Sequence, residues 1–314
     1  MRYRLLGRTG LSVSVLSFGA SSLGGVFHDI DEQQGVQAVH KAIELGINFI
    51  DVSPYYGLTK AETVLGRALA GIPRNQYFLA TKCGRYGPNM RDFDFSATRV
   101  SRSVDESLAR LGVEYLDLIQ IHDIEFGNIK QIAEETLPAL AAIRDSGKAR
   151  FVGITGLTLR VFTELLQSVA PGTVDTILSY CHFALNDASL LSIVPKMQEW
   201  EVGVINASPL GMGLLSMRGP PAWHPAPDEV KRCCQIAAEH CRLKGASLEK
   251  LAIQFAIREP RITTTLVGTA DPKNIERNVA WSNEPIDDLL LAEVMNILEP
   301  VHNTTWVQGR IENN

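Results

Sequence analysis

The strongest constraint on this chain is an alternation. Short runs rich in Val, Ile and Leu are each followed by a longer stretch with helical spacing of apolar residues, and the cycle repeats eight times. The spacing predicts strands over 13–18, 47–51, 77–82, 115–122, 149–155, 174–178, 202–206 and 262–267. It predicts helices over 32–45, 61–70, 96–111, 129–145, 159–169, 188–200, 229–241, 247–258, 272–279 and 288–298. Gly46, Gly71, Gly112 and Gly147 stand where four of these helices stop, and Ser96 stands where one begins. Strands apolar on both faces belong to a parallel sheet covered by helices. Eight such units with no break in composition across 314 residues argue for one closed (β/α)8 TIM barrel, a single domain over 1–314. An open doubly wound sheet would want G-x-G-x-x-G after its first strand, whereas here the turn reads Phe18-Gly19-Ala20-Ser21-Ser22-Leu23-Gly24-Gly25. The Gly/Pro-rich stretch 211–227 follows the seventh strand and is expected to lie as a long loop over the C-terminal face.

Composition removes several function classes. Thirty Lys+Arg against 35 Asp+Glu give a net charge of −5, without the basic face of a nucleic-acid binder. No apolar run approaches the roughly 20 residues that span a bilayer, and the charged start Met1–Arg8 has no apolar region behind it. The five cysteines form neither C-x-x-C nor zinc-ligand spacing, which points to reduced thiols in a cytoplasmic protein without a metal. There is no H-E-x-x-H and no G-x-S-x-G elbow.

In a closed barrel, chemistry sits at the strand C-termini. The second strand ends at Asp51, Tyr56 follows in the next loop, the third ends at Lys82 and the fourth at His122. Singly, each has a bland reading: a helix cap, a surface lysine, a core histidine. Those readings predict no common face, and adjacent strand ends do. A phenol titrates near pH 10. A neighbouring Lys cation favours its phenolate, a carboxylate keeps that Lys charged and oriented, and a neutral His donates to a substrate oxygen. Such a set moves a proton on an alcohol or carbonyl oxygen while hydride moves at carbon.

These residues resemble the aldo-keto reductases. Gly46-Ile47-Asn48-Phe49-Ile50-Asp51-Val52-Ser53, then Tyr56-Gly57, Glu62 and Leu65-Gly66, are similar to that family's first signature, and the likeness runs from Leu6-Gly7 to the C-terminal helix. The resemblance implies a (β/α)8 barrel with a nicotinamide dinucleotide laid along the strand C-termini. It implies Asp51, Tyr56, Lys82 and His122 as the catalytic tetrad, with Tyr56 transferring the proton and Lys82 lowering its pKa. The stretches 80–86, 122–127, 153–156, 177–182, 207–215 and 219–225 resemble the plant-type, sugar-oxidising branch of the family. That implies oxidation of a free aldose at C1, L-galactose first, to the 1,4-lactone, at a rate rising with pH through neutrality. L-Fucose or a D-threo-aldose is an alternative substrate. An NADP-linked reductase of a carbonyl such as pyridoxal is a second alternative, and an auxiliary subunit of another protein a third.

The resemblance also places the cofactor. Ser208, Leu210 and Gly213 lie on the loop expected over the pyrophosphate. Thr155 and Gly156 end the strand beneath the carboxamide, where Gly156 replaces the Ser/Asn usual in the family. Gly268, Thr269, Asn274 and Asn278 belong to the adenosine end, before and within the last barrel helix. NADPH-preferring members are similar to one another in carrying Lys at the position of Gly268 and Arg at that of Asn274. Both cations are missing and Asp271 adds an anion, which argues for NAD. Ala207 stands where a tyrosine commonly stacks on the nicotinamide. Tyr86, Asp123, His182 and Trp223 are candidates for sugar hydroxyls, and His224 either helps to close over the sugar or anchors its loop. Cys181 is either a packing residue or an alkylation-sensitive thiol beside the sugar.

Overall fold

The computed structural model describes residues 1–26 and 29–314. The chain opens with an antiparallel hairpin of β1 (Tyr3–Leu5) and β2 (Ser12–Ser14). Barrel strand β3 (Leu16–Gly19) follows at once, so the single strand expected over 13–18 is two, divided at Val15. Then come α1 (Glu32–Glu44), β4 (Phe49–Asp51), α2 (Lys60–Leu69), β5 (Phe78–Cys83), α3 (Ala97–Leu111) and β6 (Leu116–Ile121). The next helical segment runs through α4 (Ile129–Gln131), a π turn (Ile132–Thr136) and α5 (Leu137–Asp145). Pro138 in the first turn of α5 has no amide hydrogen, and its ring crowds the preceding carbonyls, which accounts for the widened turn.

The second half continues with β7 (Ala149–Gly156), α6 (Leu159–Ser168), β8 (Thr176–Tyr180), α7 (Val194–Glu199) and β9 (Gly203–Ala207). It ends with α8 (Asp228–Leu243), α9 (Leu248–Arg258), β10 (Thr264–Val267), α10 (Pro272–Asn283) and α11 (Asp288–Leu298). The helix expected over 188–200 is a 3-10 turn, Ser189–Ser192, followed by α7, with Pro195 opening the helix proper. The eight barrel strands close in the order β10-β3-β4-β5-β6-β7-β8-β9, all parallel. No described helix is long and apolar enough to cross a membrane.

Strand side chains alternate between faces, and this positions the site. Phe49, Ala80, Leu118, Leu178, Ile205 and Leu266 pack with Leu6, Leu11 and Val13 into one apolar cluster, so the hairpin end plugs the barrel floor with hydrocarbon. Two residues further along the same inward rows stand Asp51, Lys82, Gln120, Tyr180 and Ala207, and four along β6's row stands His122. The larger apolar cluster lies between strands and helices. A satellite core joins α8, α9 and α11, and Cys233, Cys234 and Cys241 pack there.

Candidate active site

The base of the site is a chain of hydrogen bonds at the upper end of β4–β6. The Lys82 ammonium donates to Asp51, to the Val52 carbonyl at 3.0 Å and to the Tyr56 hydroxyl at 3.2 Å. Gln120 donates to the other Asp51 oxygen at 2.7 Å. Asp51, Lys82 and His122 are all nearly inaccessible to water. Burial opposes the charge on Lys82, but Asp51 and the Tyr56 oxygen outweigh it, and the ammonium is held above its ordinary pKa.

At Tyr56 burial outweighs the expected effect of Lys82, which is nonetheless present. Burial raises its pKa, and Asp51 adds to this; Lys82 pulls it down without winning, so the phenol sits above the ordinary tyrosine value. The Tyr56 loop is braced by backbone contact. A Cβ on Gly57, whose φ is +61°, would meet the Gly24 carbonyl oxygen at 2.2 Å, and one on Gly24 would meet the Tyr56 carbonyl oxygen at 2.6 Å.

His122 stands edge-on to Tyr56, ring centroids 5.7 Å apart. Burial lowers its pKa well below the ordinary value, and Lys82 and Arg85 reinforce the effect, so the ring is neutral at pH 7. Its Nδ1 lies 3.0 Å from the Ser53 hydroxyl, which also accepts from the Tyr55 amide. Beside it the buried carboxylate of Asp123 accepts from Arg85, whose guanidinium lies 3.7 Å over the Tyr55 ring. Cys181 and Ser208 follow β8 and β9 directly, Asp123 stands two residues past β6, and all three have positive φ. Such conformations are held by their surroundings and cluster at functional faces; at Asp123 the Thr155 hydroxyl accepts its amide at 3.1 Å.

Above these residues runs a groove of about 1020 Å³, at the upper end of the range for small-molecule sites. It is lined by Asp51, Tyr56, Lys82, His122 and Asp123 at the barrel centre. From there it extends past Thr155, Ser208, Leu210 and Gly213 to Gly268, Thr269, Asn274 and Asn278. The loop after β9 flanks it, including Trp223.

The sequence profile of the Aldo/keto reductase family matches residues 15–299. The chain belongs to the aldo-keto reductase family. This aldo-keto reductase is 50% identical over 316 residues to the L-galactose dehydrogenase of Arabidopsis thaliana, covering 99% of this chain and 98% of that one. It is 34% identical to the D-arabinose 1-dehydrogenase of Saccharomyces cerevisiae, over 79% of this chain and 76% of that one. Its fold matches the holo form of an aldo-keto reductase from Bacillus halodurans with a TM-score of 0.78 at 28% identity, covering 98% of this chain and 99% of that one.

Several candidate residues of this reductase lie away from the mouth. Tyr86 is turned toward α3: its hydroxyl accepts the Gly84 amide at 3.0 Å, the Arg99 guanidinium lies over its ring, and burial pushes its pKa up to about 12. His182 is buried between Asp187 and Ser189, at 3.1 and 2.9 Å from its Nδ1. Neither Tyr86 nor His182 lines the groove. His224 is the loop's anchor. Its Nδ1 accepts the Ala226 amide, which leaves Nε2–H to donate to the Gly211 carbonyl at 3.0 Å. Trp223, half-exposed at the rim, stacks beside it. The Cys181 thiol is buried, and that burial pushes its pKa up to about 12, which makes it inert rather than reactive.

At the adenosine end, Asp271 caps α10 by accepting the Lys273 amide, and Asn274 donates to Thr269 at 3.2 Å. A Cβ on Gly268 would meet the Gly19 carbonyl oxygen at 2.8 Å, so a side chain there requires the backbone to shift. Among the described residues, Arg218 and Arg277 are the cations that line the groove away from the barrel centre; Arg277 donates to Asn274 and lies over Trp281. The donor set suits a dinucleotide: a helix N-terminus with Pro272 at its first position, and a buried Ser22 hydroxyl in the groove wall that has no partner among the described residues.

Residues that sequence reasoning passed over complete the site. Gln120 was detectable, since it lies two positions before His122 on one strand and therefore on the same face. Ser53, Tyr55 and Arg85 belong to loops whose geometry no periodicity describes. Tyr180, beside Ala207 in strand register, supplies a mouth aromatic that β9 lacks.

Proposed function

We propose that this aldo-keto reductase oxidises a free aldose at C1, with L-galactose the leading substrate and the 1,4-lactone the product. The observation that carries the mechanism is the Lys82–Tyr56 contact at 3.2 Å, with Asp51 on the far side of the ammonium. The Tyr56 oxygen takes the proton of the anomeric hydroxyl. Lys82 stabilises the Tyr56 phenolate that must be present before this transfer, which converts it to the phenol; Asp51 keeps Lys82 charged and aimed, and Gln120 fixes Asp51. His122 is neutral; with the Ser53 hydroxyl donating to Nδ1, its Nε2–H, 3.7 Å from the Asp123 carboxylate, holds the reacting oxygen. The dinucleotide, when bound in the groove, supplies the acceptor for the hydride leaving C1.

Two features support a neutral sugar and NAD. The charges at the barrel centre cancel in pairs, Asp51 with Lys82 and Asp123 with Arg85, so no surplus cation there selects a phosphorylated or carboxylated substrate. Gly268 and Asn274 offer no cationic fork to a 2′-phosphate. Similarity to an L-galactose dehydrogenase and a D-arabinose 1-dehydrogenase directs the choice of sugar. The test is a panel of free aldoses with NAD or NADP, followed by nicotinamide absorbance. L-Galactose with NAD is expected to give the highest kcat/KM, and Tyr56→Phe to abolish turnover while NAD still binds. Preference for NADP, or turnover surviving in Tyr56→Phe, would refute the corresponding part.

A further inference from the structure

One buried carboxyl has no part in the tetrad chemistry. Glu125, in the turn after β6, is fully buried. One of its oxygens accepts the Leu157 amide at 2.9 Å and the Gln308 amide nitrogen at 2.6 Å. Its backbone carbonyl accepts the Arg310 amide at 3.0 Å and the Asn313 side chain at 2.7 Å. The C-terminal segment 306–314 is thereby strapped across the rim beside β6 and β7. Space has been kept for this carboxyl, because a Cβ on Gly156 would sit 2.4 Å from its second oxygen. That supplies a reason for glycine at 156.

The strap ends in the mouth. Gln308 also donates to the Tyr180 hydroxyl, and Gln308, Tyr180 and Trp306 all line the groove. The hydrogen-bond inventory of this chain is decisive. Both Gln308 N–H groups are committed, one to Glu125 and one to Tyr180, so its carbonyl remains an acceptor. Tyr180 accepts from Gln308, so its own proton is left to donate. Burial, with Asp123 and Glu125 nearby, holds Tyr180 well above the ordinary pKa, so it keeps that proton. The buried Trp306 indole N–H has no partner among the described residues.

We infer that Tyr180 and Gln308 form a two-point clamp for hydroxyl groups of the aldose, with Glu125 as the positioning residue that sets it through Gln308. The inference rests on the sugar-oxidising reading above. The clamp offers one donor and one acceptor side by side, which suits a hydroxyl that must both accept and donate, or a neighbouring pair of them.

The test is steady-state kinetics of Tyr180→Phe, Gln308→Ala, Glu125→Ala and Glu125→Gln, with NAD affinity measured separately. Loss of one neutral hydrogen bond is expected to raise the aldose KM roughly two- to tenfold, with kcat and the NAD Kd little changed. Tyr180→Phe and Gln308→Ala together are expected to cost less than the product of the single effects, since they share one contact. Glu125→Gln keeps a carbonyl for Leu157 and Gln308 and is expected to rescue the KM that Glu125→Ala loses. A KM unmoved in Tyr180→Phe and Gln308→Ala overturns the clamp, even if Glu125→Ala fails to fold. Equal losses in kcat and NAD affinity across the set overturn it too, since they mark a merely structural role. No turnover of any aldose by the unaltered enzyme overturns the functional reading itself.

Discussion

Replacing Lys82 by Met separates the electrostatic role of the ammonium from the bulk of its side chain. At 3.2 Å from the Tyr56 oxygen, and with an effective dielectric constant of about 20, a unit charge interacts with the phenolate by roughly 5 kcal/mol. That corresponds to about 4 pKa units on Tyr56. The phenol is already held above its ordinary value by burial, with Asp51 adding to it, so losing Lys82 moves it further out of reach at neutral pH. A stronger base offsets part of the lost phenolate, which leaves an expected fall in turnover of roughly 10²- to 10⁴-fold. The same change strands Asp51 as an unpaired buried carboxylate, a loss of about 3–5 kcal/mol in stability. The variant pair Lys82→Met and Asp51→Asn/Lys82→Met resolves the two effects. Thermal unfolding is expected to show the single variant destabilised and the double variant largely restored. Aldose oxidation is expected to remain lost in both. In the unaltered enzyme the rate of the chemical step is expected to climb between about pH 6 and 9 as the phenol ionises; in Lys82→Met the climb moves to higher pH. Turnover within tenfold of the unaltered enzyme at pH 8, recovery of turnover in the double variant, or a flat profile in the unaltered enzyme would each refute the reasoning.

Ser53→Ala removes the hydroxyl that faces His122 Nδ1 at 3.0 Å. It is expected to lower kcat roughly tenfold with melting temperature nearly unchanged, and an unchanged kcat would show that Ser53 does not set the tautomer. Glu125 gives a pH-dependent stability. Burial, with Asp123 adding to it, pushes its pKa up to about 8, against an ordinary value of 4.5. Between those values the folded state binds more protons than the unfolded one, so this group's contribution is full below the lower value and is lost as pH rises through the upper one. Glu125→Gln cannot ionise, and its melting temperature relative to the unaltered enzyme is expected to rise from pH 5 to pH 9. A constant difference across that range would contradict the assignment.

How much of this was legible follows from the period of two along a strand. The apolar runs placed the barrel strands to within two or three residues at their ends, because a strand buried on both faces has no other composition available. The division at Val15 and the floor hairpin escaped because β1 and β2 are short, and half-exposed residues hide their alternation. Once strands are placed, the inward row of each can be followed from hydrocarbon to polar groups: Phe49 to Asp51, Ala80 to Lys82, Leu118 to Gln120 to His122. This rule brings the tetrad strands to one mouth, and applied fully it includes Gln120. It fails for Tyr86 and His182, which lie beyond strand ends, where the chain turns and alternation no longer says which way a side chain points.

The same limit explains why Glu125 and Gln308 were invisible. They are 183 positions apart, each in irregular structure, and neither carries a periodic signal. What the sequence does contain is an indirect sign, the glycine at 156. The family resemblance implies a polar side chain at that position, and in this chain the Glu125 carboxyl fills the space from a different loop. A missing side chain at a strand end therefore indicates where to look for a group arriving from elsewhere. Ala207 repeats the logic, with Tyr180 arriving from the neighbouring strand. Both positions direct attention to the same corner of the mouth, between β6 and β9, where the C-terminal strap comes down. On the proposed reading, the tetrad end carries the proton and hydride chemistry, and the sugar specificity of this chain is set at the opposite wall. Exchanging residues 306–314 for the tail of a reductase with another substrate is then expected to change which aldose is preferred while leaving the pH dependence of the chemical step in place. A changed pH profile with unchanged sugar preference would reverse that division of labour.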